Sequence, residues 1–595
     1  MVRYYLALLK WDRKLILLIA WFCLLEQYLP NGANHPFAKT MINHFNKLQT
    51  PLKSIHRYPC LEDQRRRFLG ARWTAVTARN LWDLWSDDAF LTAEQRIQLN
   101  AIEPFDEWEE FALFACHYFL LLAVNSSTSA AQVAQLGGSL GADVKLLDGL
   151  NVLPRTVSDL SPNLQWKHLA QAPTQRRYGA ISYAGDNILG HHGGLGAQRR
   201  LQSTDVYALA NRSISVGPSD APVPSIAIEA RMCHTITKVG SSGSLLVGGR
   251  ASPDHAFGDC WFRSGKKWNR VKDLPAALYR HCATFVGSEG ESSGVLVYGG
   301  RSNHSAVMND WLLWKVSVGW TKLHCTGDIL KPRFGAAMVT VSSTAGIILG
   351  GIGEDGTILS ELWEWSIENL GTNPRIIVTN QSHQVTASSL SYVVFRFGAS
   401  LVWSQSGLLL VGGISSRILL QDRYDVIGLI PSRGESPQEH FLLQPSLAKD
   451  PSYNEHRHLL VGHSTASYVD GIITVGGGAV CFSFGTYWNT GIWSLDGTSP
   501  LSSPAWELLK QPKGKQLVKP KVPHRKAGSK GDSVESFSSS RKLVLIERIK
   551  NSTDFECITR LSNPALLQGL QLGRCVEKWT WDYLKDAIDS ERLVS

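Results

Sequence analysis

Ser244-Leu-Leu-Val-Gly-Gly249 and Val295-Leu-Val-Tyr-Gly-Gly300 are two copies of one short phrase. An aliphatic run of strand length ends in a glycine pair. The phrase recurs through residues 164–495, with pairs at Gly193-Gly194, Gly248-Gly249, Gly299-Gly300, Gly350-Gly351, Gly412-Gly413 and Gly476-Gly477. Ten to twenty residues before each pair stands Arg177-Tyr178-Gly179, Arg231-Met-Cys-His234, Arg280-His-Cys282, Arg333-Phe-Gly335, Arg396-Phe-Gly398 or, more loosely, Val461-Gly-His463. After most pairs come a polar loop and an aromatic-rich segment, as in Asp205-Val-Tyr207, Asp259-Cys-Trp261, Asp310-Trp311 and Glu361-Leu-Trp363. Short β-branched or aliphatic runs bounded by turn residues read as strands. Paired glycines let the backbone pass where a side chain would clash.

A repeat of about fifty residues with this grammar is the kelch pattern, so the expected fold is mainly β, a kelch-type β-propeller of about six blades. A degenerate seventh unit could sit in 415–450. Two segments compete to close the ring: Trp166-Lys-His-Leu169 before the first unit and Trp506-Glu-Leu-Leu509 after the last.

Composition adds bounds. The chain has 595 residues, is 44% hydrophobic and 19% charged, and carries a net charge of +9. Ten Lys and Arg between Lys510 and Lys542 face only Asp532 and Glu535, so one stretch holds about the whole excess. That weakens the case for a folded nucleic-acid groove; the basic stretch itself reads as a solvated linker, with non-specific attraction of tRNA phosphates as the functional reading. Ten scattered cysteines without a CxxC point to a reducing compartment and a cytoplasmic protein. Cys233-His234 and His281-Cys282 occupy matching repeat positions and read as packing, so no metal site is expected. Leu15–Leu25 is too short to span a bilayer and reads as a buried helix. No membrane association is expected.

Ahead of the repeats, Phe105 to Leu122 reads as one amphipathic helix, with Phe111, Phe114, Tyr118 and Leu122 on one face and Asp106, Glu107, Glu109 and Glu110 in the first turn. Glu26-Gln27, Met41/Phe45, Gln64/Arg67-Phe68, Arg72-Trp73, Phe105-Asp-Glu107 and His117-Tyr118 together resemble the C-terminal part of leucine carboxyl methyltransferase-like domains. Such a part joined to kelch repeats resembles a wybutosine-synthesizing family, and Val475-Gly-Gly-Gly-Ala-Val-Cys-Phe-Ser-Phe-Gly485 is similar to its closing blade. The resemblance implies S-adenosylmethionine-dependent methylation, then methoxycarbonylation, of a carboxylate on the modified guanosine of phenylalanine tRNA. It also shows departures. The cofactor half of that family precedes Glu26-Gln27, and no glycine-rich strand–turn–helix stands there, so no cofactor residue carries over and the catalytic residues stay unassigned. The chain reads as truncated at both ends relative to the family.

The domain reading is therefore 1–123, a helical remnant of a class I methyltransferase; 124–163, a linker; 164–509, the propeller; 510–542, a basic disordered linker; and 543–595, a partial JmjC/cupin-like segment that stops before any iron ligands. Residues 430–457 read as a long loop. Arg250, Arg301, His192, His255 and His304 flank the glycine pairs, and loops there are the candidates for tRNA contact. The competing reading is a non-catalytic kelch scaffold that binds protein partners.

Overall fold

A computed structural model describes residues 21–102 and 105–125, most of 165–496, and the strands Trp506–Lys510, Glu547–Ile549 and Ala565–Leu567. The chain divides into two compact units, Met1–Ile97 with Phe105–Gln516, and Gln98–Pro104 with Leu517–Ser595. In the second unit Glu547–Ile549 pairs in parallel with Ala565–Leu567. The basic linker, the 124–163 linker beyond residue 125, and nearly all of the cupin-like segment lie outside the described residues.

The N-terminal module runs β1 (Trp21–Gln27), α1 (Pro36–Lys47), α2 (Leu61–Leu69), β2 (Ala75–Asn80), α3 (Leu81–Trp85), α4 (Ala93–Ile102), α5 (Trp108–Cys116) and β3 (Tyr118–Val124). Its sheet is antiparallel in the order β1-β3-β2. Two expectations are corrected here. Trp21–Leu25 belongs to a strand, and the helix expected over 105–122 stops at Cys116. His117 ends it at φ −100°, ψ 1°, with its ring Nδ1 2.7 Å from the Leu113 carbonyl. Tyr118-Phe-Leu-Leu-Leu-Ala-Val124 then becomes the central strand, with Phe119, Leu121 and Ala123 packed against Phe68 and Val76. Apolar residues on both faces of a strand erase the period-two signal, so helix and strand look alike in the sequence.

Six antiparallel sheets follow. Their innermost strands are Ala180–Tyr183, Thr235–Val239, Cys282–Val286, Ala337–Ser342, Ser400–Ser404 and His463–Tyr468, each next to the one before and the last next to the first. Each sheet has four strands except the fourth, where His324–Gly327 adds a fifth, parallel to Arg375–Asn380. Both rivals for closure are used. Gln165–Ala170 is the outer strand of the last sheet, with Trp166 buried, while Trp506–Lys510 is the outer strand of the first. The stretch 415–450 forms no sheet of its own among the described residues. Its strands Val426–Pro431 and Phe441–Pro445 complete the fifth sheet, so part of the expected 430–457 loop is strand.

The glycine pairs build the seams between sheets. Both members of all six pairs are left-handed, with φ between 57° and 99°. That geometry turns the second N–H sideways onto a carbonyl of the next sheet: Gly194 to Arg231, Gly249 to Leu278, Gly300 to Arg333, Gly351 to Arg396, Gly413 to Leu460 and, closing the circle, Gly477 to Arg176, all at 2.8–2.9 Å. A Cβ on Gly299 would lie 2.3 Å from the Arg333 carbonyl oxygen, which is why the position takes glycine.

The seams also correct the repeat register. The residues in the equivalent place are Arg176, Arg231, Leu278, Arg333, Arg396 and Leu460, so the first, third and sixth units begin earlier than Arg177, Arg280 and Val461. Arg176, Arg231, Arg333 and Arg396 each donate to the carbonyl of the first glycine of their own unit, at 2.7–3.1 Å. Three also pair with the acid ahead of the aromatic segment: Arg176–Asp205, Arg231–Asp259 and Arg333–Glu361. Where Leu278 replaces the arginine, Asp310 pairs instead with the exposed Lys322. Arg280 sits two places on, at a left-handed position shared by Tyr178, Cys233, Gly335, Gly398 and Gly462. His234 and His281 share the next place and are buried against the first glycine of the preceding pair.

Candidate functional site

The site is the junction where the segment Phe105–Cys116 enters the mouth of the ring. Trp108, Ala112, Leu113, Ala115 and Cys116 share one buried core with Phe334, Ile352, Phe397 and Val461. α5 therefore presents an apolar face to the sheets, and its first turn presents two adjacent carboxylates. These are buried rather than solvated, with Glu109 1% and Glu110 4% exposed.

Each acid has a built partner. Arg280 grips Glu109 in a two-bond fork, Nη1 to Oε1 at 2.6 Å and Nη2 to Oε2 at 2.8 Å. Arg177 donates to Glu110 at 2.7 Å and the Tyr178 hydroxyl donates to the same oxygen at 3.0 Å. Arg250 pairs with Asp106, and Arg301 donates to the Phe105 carbonyl at 2.7 Å. Burial, then the neighbouring Glu109 charge, raises the Glu110 carboxyl above its ordinary range, with Arg177 pulling the other way. Burial opposes the charge on Arg280, yet Glu109 outweighs it and the guanidinium is held protonated more firmly than usual. Forked guanidinium–carboxylate bonds of this kind orient as well as attract.

The rest of the module is fastened over the fourth to sixth sheets. Trp82 donates to the Ser415 carbonyl, Trp85 to that of Gly356 and Asn31 to that of Leu420, at 2.9, 2.9 and 2.6 Å. Arg96 reaches the Asp355 carboxylate at 3.1 Å. Phe484 packs among His44, Phe45 and Phe37 of α1. A small cavity of about 20 Å³, room for about one water, remains between α5 and the fifth and sixth sheets, lined by His35, Cys116, Ser415, Asp425 and His458 among others.

The residues singled out for tRNA contact fall in different places. His192 is fully buried, its ring nitrogen 2.9 Å from the Thr204 hydroxyl. Arg250 and Arg301 are buried and bonded to the Asp106 and Phe105 end of the module. His255 is exposed, beside Phe257. His304 lies outside the described residues. The structure thus brings Arg250 and Arg301 together, facing inward. The residues missed were Glu109, Glu110, Tyr178 and Arg280. Their signal was a pair of acids opening the otherwise uncharged helix Trp-Glu-Glu-Phe-Ala-Leu-Phe-Ala-Cys, which has no wet face to hold them.

The described module does not fit a nucleoside cofactor. From 21 to 125 the glycines are Gly32 and Gly70 alone. Gly32, between β1 and α1, has open space around it where a phosphate- or ribose-cradling turn would be crowded. The strands are antiparallel, without the βαβ unit such a seat uses. Among the described residues no group of His, Cys, Asp and Glu could hold a metal, and no helix is long and apolar enough to cross a membrane.

Residues 228–491 match the family model described as tRNA wybutosine-synthesizing protein 4, beta-propeller. The chain is 37% identical to tRNA wybutosine-synthesizing protein 4 of Aspergillus fumigatus, over 99% of this chain and 54% of the relative. It is 39% identical to that of Emericella nidulans, over 97% and 55%, and 28% identical to that of Saccharomyces cerevisiae, over 79% and 63%. The chain spans about half the length of the first two relatives. Module and sheets alike, it resembles tRNA wybutosine-synthesizing protein 4 over nearly its whole length, and residues 228–491 match that family's β-propeller model.

Proposed function

We propose that this chain serves wybutosine biosynthesis on phenylalanine tRNA. In this reading the six sheets are six kelch blades, and the β1-β3-β2 module is the C-terminal part of a class I methyltransferase domain. The domain limits are those read from the sequence. The reaction is methylation of the side-chain carboxylate of the modified guanosine by S-adenosylmethionine, then methoxycarbonylation, in the cytoplasm. The observation that carries the reading is that similarity covers 99% of the chain, module and propeller alike, the two parts that Glu109 and Glu110 lock together. A carboxylate is already nucleophilic, so the protein's work is alignment and exclusion of water. The described residues supply no seat for the cofactor, so no step is assigned through it. What they supply is a packed body, with His255 exposed on the short hairpin of Arg250–Ser252 and His255–Ala256 for RNA.

The second reading, a non-catalytic scaffold with protein partners on the propeller, is favoured by the lack of a glycine-rich turn in the described module. Calorimetry separates the two. Micromolar binding of S-adenosylmethionine by the purified chain supports the enzyme. Binding of phenylalanine tRNA without the cofactor supports the scaffold, and binding of neither refutes both assignments to tRNA.

A further inference from the structure

Outside the basic linker the charges of the chain nearly cancel, but they are not evenly spread. Between Lys47 and Thr74 stand seven Lys and Arg against Glu62 and Asp63 alone. Folding draws the middle of this stretch together. Residues 54–58 make one helical turn, with the Arg57 and Tyr58 N–H groups both donating to the Ser54 carbonyl at 3.0 Å. Glu26, near the end of β1, fastens that turn to α2. It accepts from the Ser54 hydroxyl at 2.6 Å and from Arg67 at 3.4 Å. Gln64 of α2 donates to the Tyr58 carbonyl at 3.0 Å. The guanidinium carbons of Arg57 and Arg67 then lie 5.4 and 5.0 Å from the centre of the Tyr58 ring. One aromatic ring thus holds a cation from the turn and a cation from the helix.

Only part of this charge is answered. Arg67 is nearly buried and has Glu26. Arg65 and Arg66 share the single carboxylate of Glu62, and the Arg66 side chain is 70% exposed. Exposed pairs of this kind hold their members weakly. Asp63 is engaged by the Cys60 thiol at 2.9 Å. Lys53 and Arg57 are exposed and have no carboxylate partner among the described residues. The planar fork of arginine meets two oxygens of one phosphate, and a guanidinium already held on a ring loses little freedom in doing so. Tyr58 is taken up by the two guanidinium groups, so the face suits phosphates rather than bases.

We infer that the 53–58 turn and α2 form a docking surface for the sugar–phosphate backbone of RNA. Lys53, Arg57 and Arg66 are its phosphate contacts; Glu26, Tyr58 and Arg67 position them. Such a surface rests on the tRNA reading above and fixes the side of the module that the RNA backbone meets.

The test is binding of phenylalanine tRNA to the full chain as a function of salt, with two triple variants. Lys53→Gln, Arg57→Gln and Arg66→Gln together strip the face. Lys267→Gln, Lys272→Gln and Arg375→Gln remove the same charge from exposed positions around the second and fourth sheets. Tm checks that both variants fold as the wild type does. The face variant binds about a hundredfold more weakly at about 0.1 M salt, and its slope of log K against log salt is shallower by about two to three, as expected for three lost phosphate contacts. The control variant stays within about threefold of wild type, because charges far from the RNA are screened. Equal losses in the two variants, or none in the face variant, overturn the surface and leave the tRNA reading standing. No binding of the tRNA by the wild type overturns both. Loss of binding to vesicles of anionic phospholipid in the face variant, with tRNA binding kept, assigns the face to a membrane and overturns the RNA surface.

Discussion

Removing Glu109 is the sharpest perturbation of the seam. Its two bonds to Arg280, at 2.6 and 2.8 Å, join side chains that are only 2% and 6% exposed. In Glu109→Ala the guanidinium stays wedged between the rings of Tyr178 and Phe397, 5.0 and 4.9 Å from their centres, with no carboxylate in its fork. Breaking a buried pair from one side costs about 3–5 kcal/mol, because a desolvated charge is left behind. At about 1.4 kcal/mol per decade, that is two to four orders of magnitude in the folding constant. Replacing both members by apolar residues of similar size, Glu109→Leu with Arg280→Met, removes both desolvation terms and is expected within about 2 kcal/mol of wild type. Urea unfolding of wild type, both single variants and the double variant closes the cycle. A cost below about 1 kcal/mol for Glu109→Ala, or strictly additive single effects, would refute the account of the seam as a desolvated ion pair.

Other outcomes follow from the same geometry. Gly299→Ala should destabilise more than Gly265→Ala by several kcal/mol. Both are left-handed and share a penalty of about 1–2 kcal/mol, but only the first meets a carbonyl, and chemical denaturation reads the difference. Trp166→Ala should cost about 3–5 kcal/mol, since Trp166 is buried against Leu495 and Leu460, and a loss under 1 kcal/mol would mean that its strand does not close the last sheet. Burial lowers His192 and His458 to about 3, and His117, His281 and His463 to about 4. Such groups are neutral when folded, while the unfolded chain takes up protons near pH 6.5. Their stability contribution is complete above that pH and is lost as pH falls towards the folded values. At pH 5.5 each should have lost about 1.4 kcal/mol. A flat stability profile between pH 7 and 5 would contradict their burial.

What was legible in the sequence is what repetition and local chemistry encode. Glycine pairs after aliphatic runs specify strands that turn left-handed at one end, and six copies imply a circular array, because each copy has an unpaired N–H for its neighbour. The polar start and apolar body of 108–116 read as helix. Three things were not local. Tyr118–Val124 became a strand because β1 and β2 lie on either side of it, and a run apolar on both faces carries no period of its own. The unit starts shifted because Arg176 and Arg177 stand side by side, and only the carbonyl each unit reaches tells them apart. Arg250 and Arg301 looked like surface residues because polar loops usually are; they face inward because an acidic helix start from more than a hundred residues earlier covers them. A charged side chain is exposed or buried according to whether a partner arrives to replace water, and that partner's arrival is a property of the tertiary structure alone.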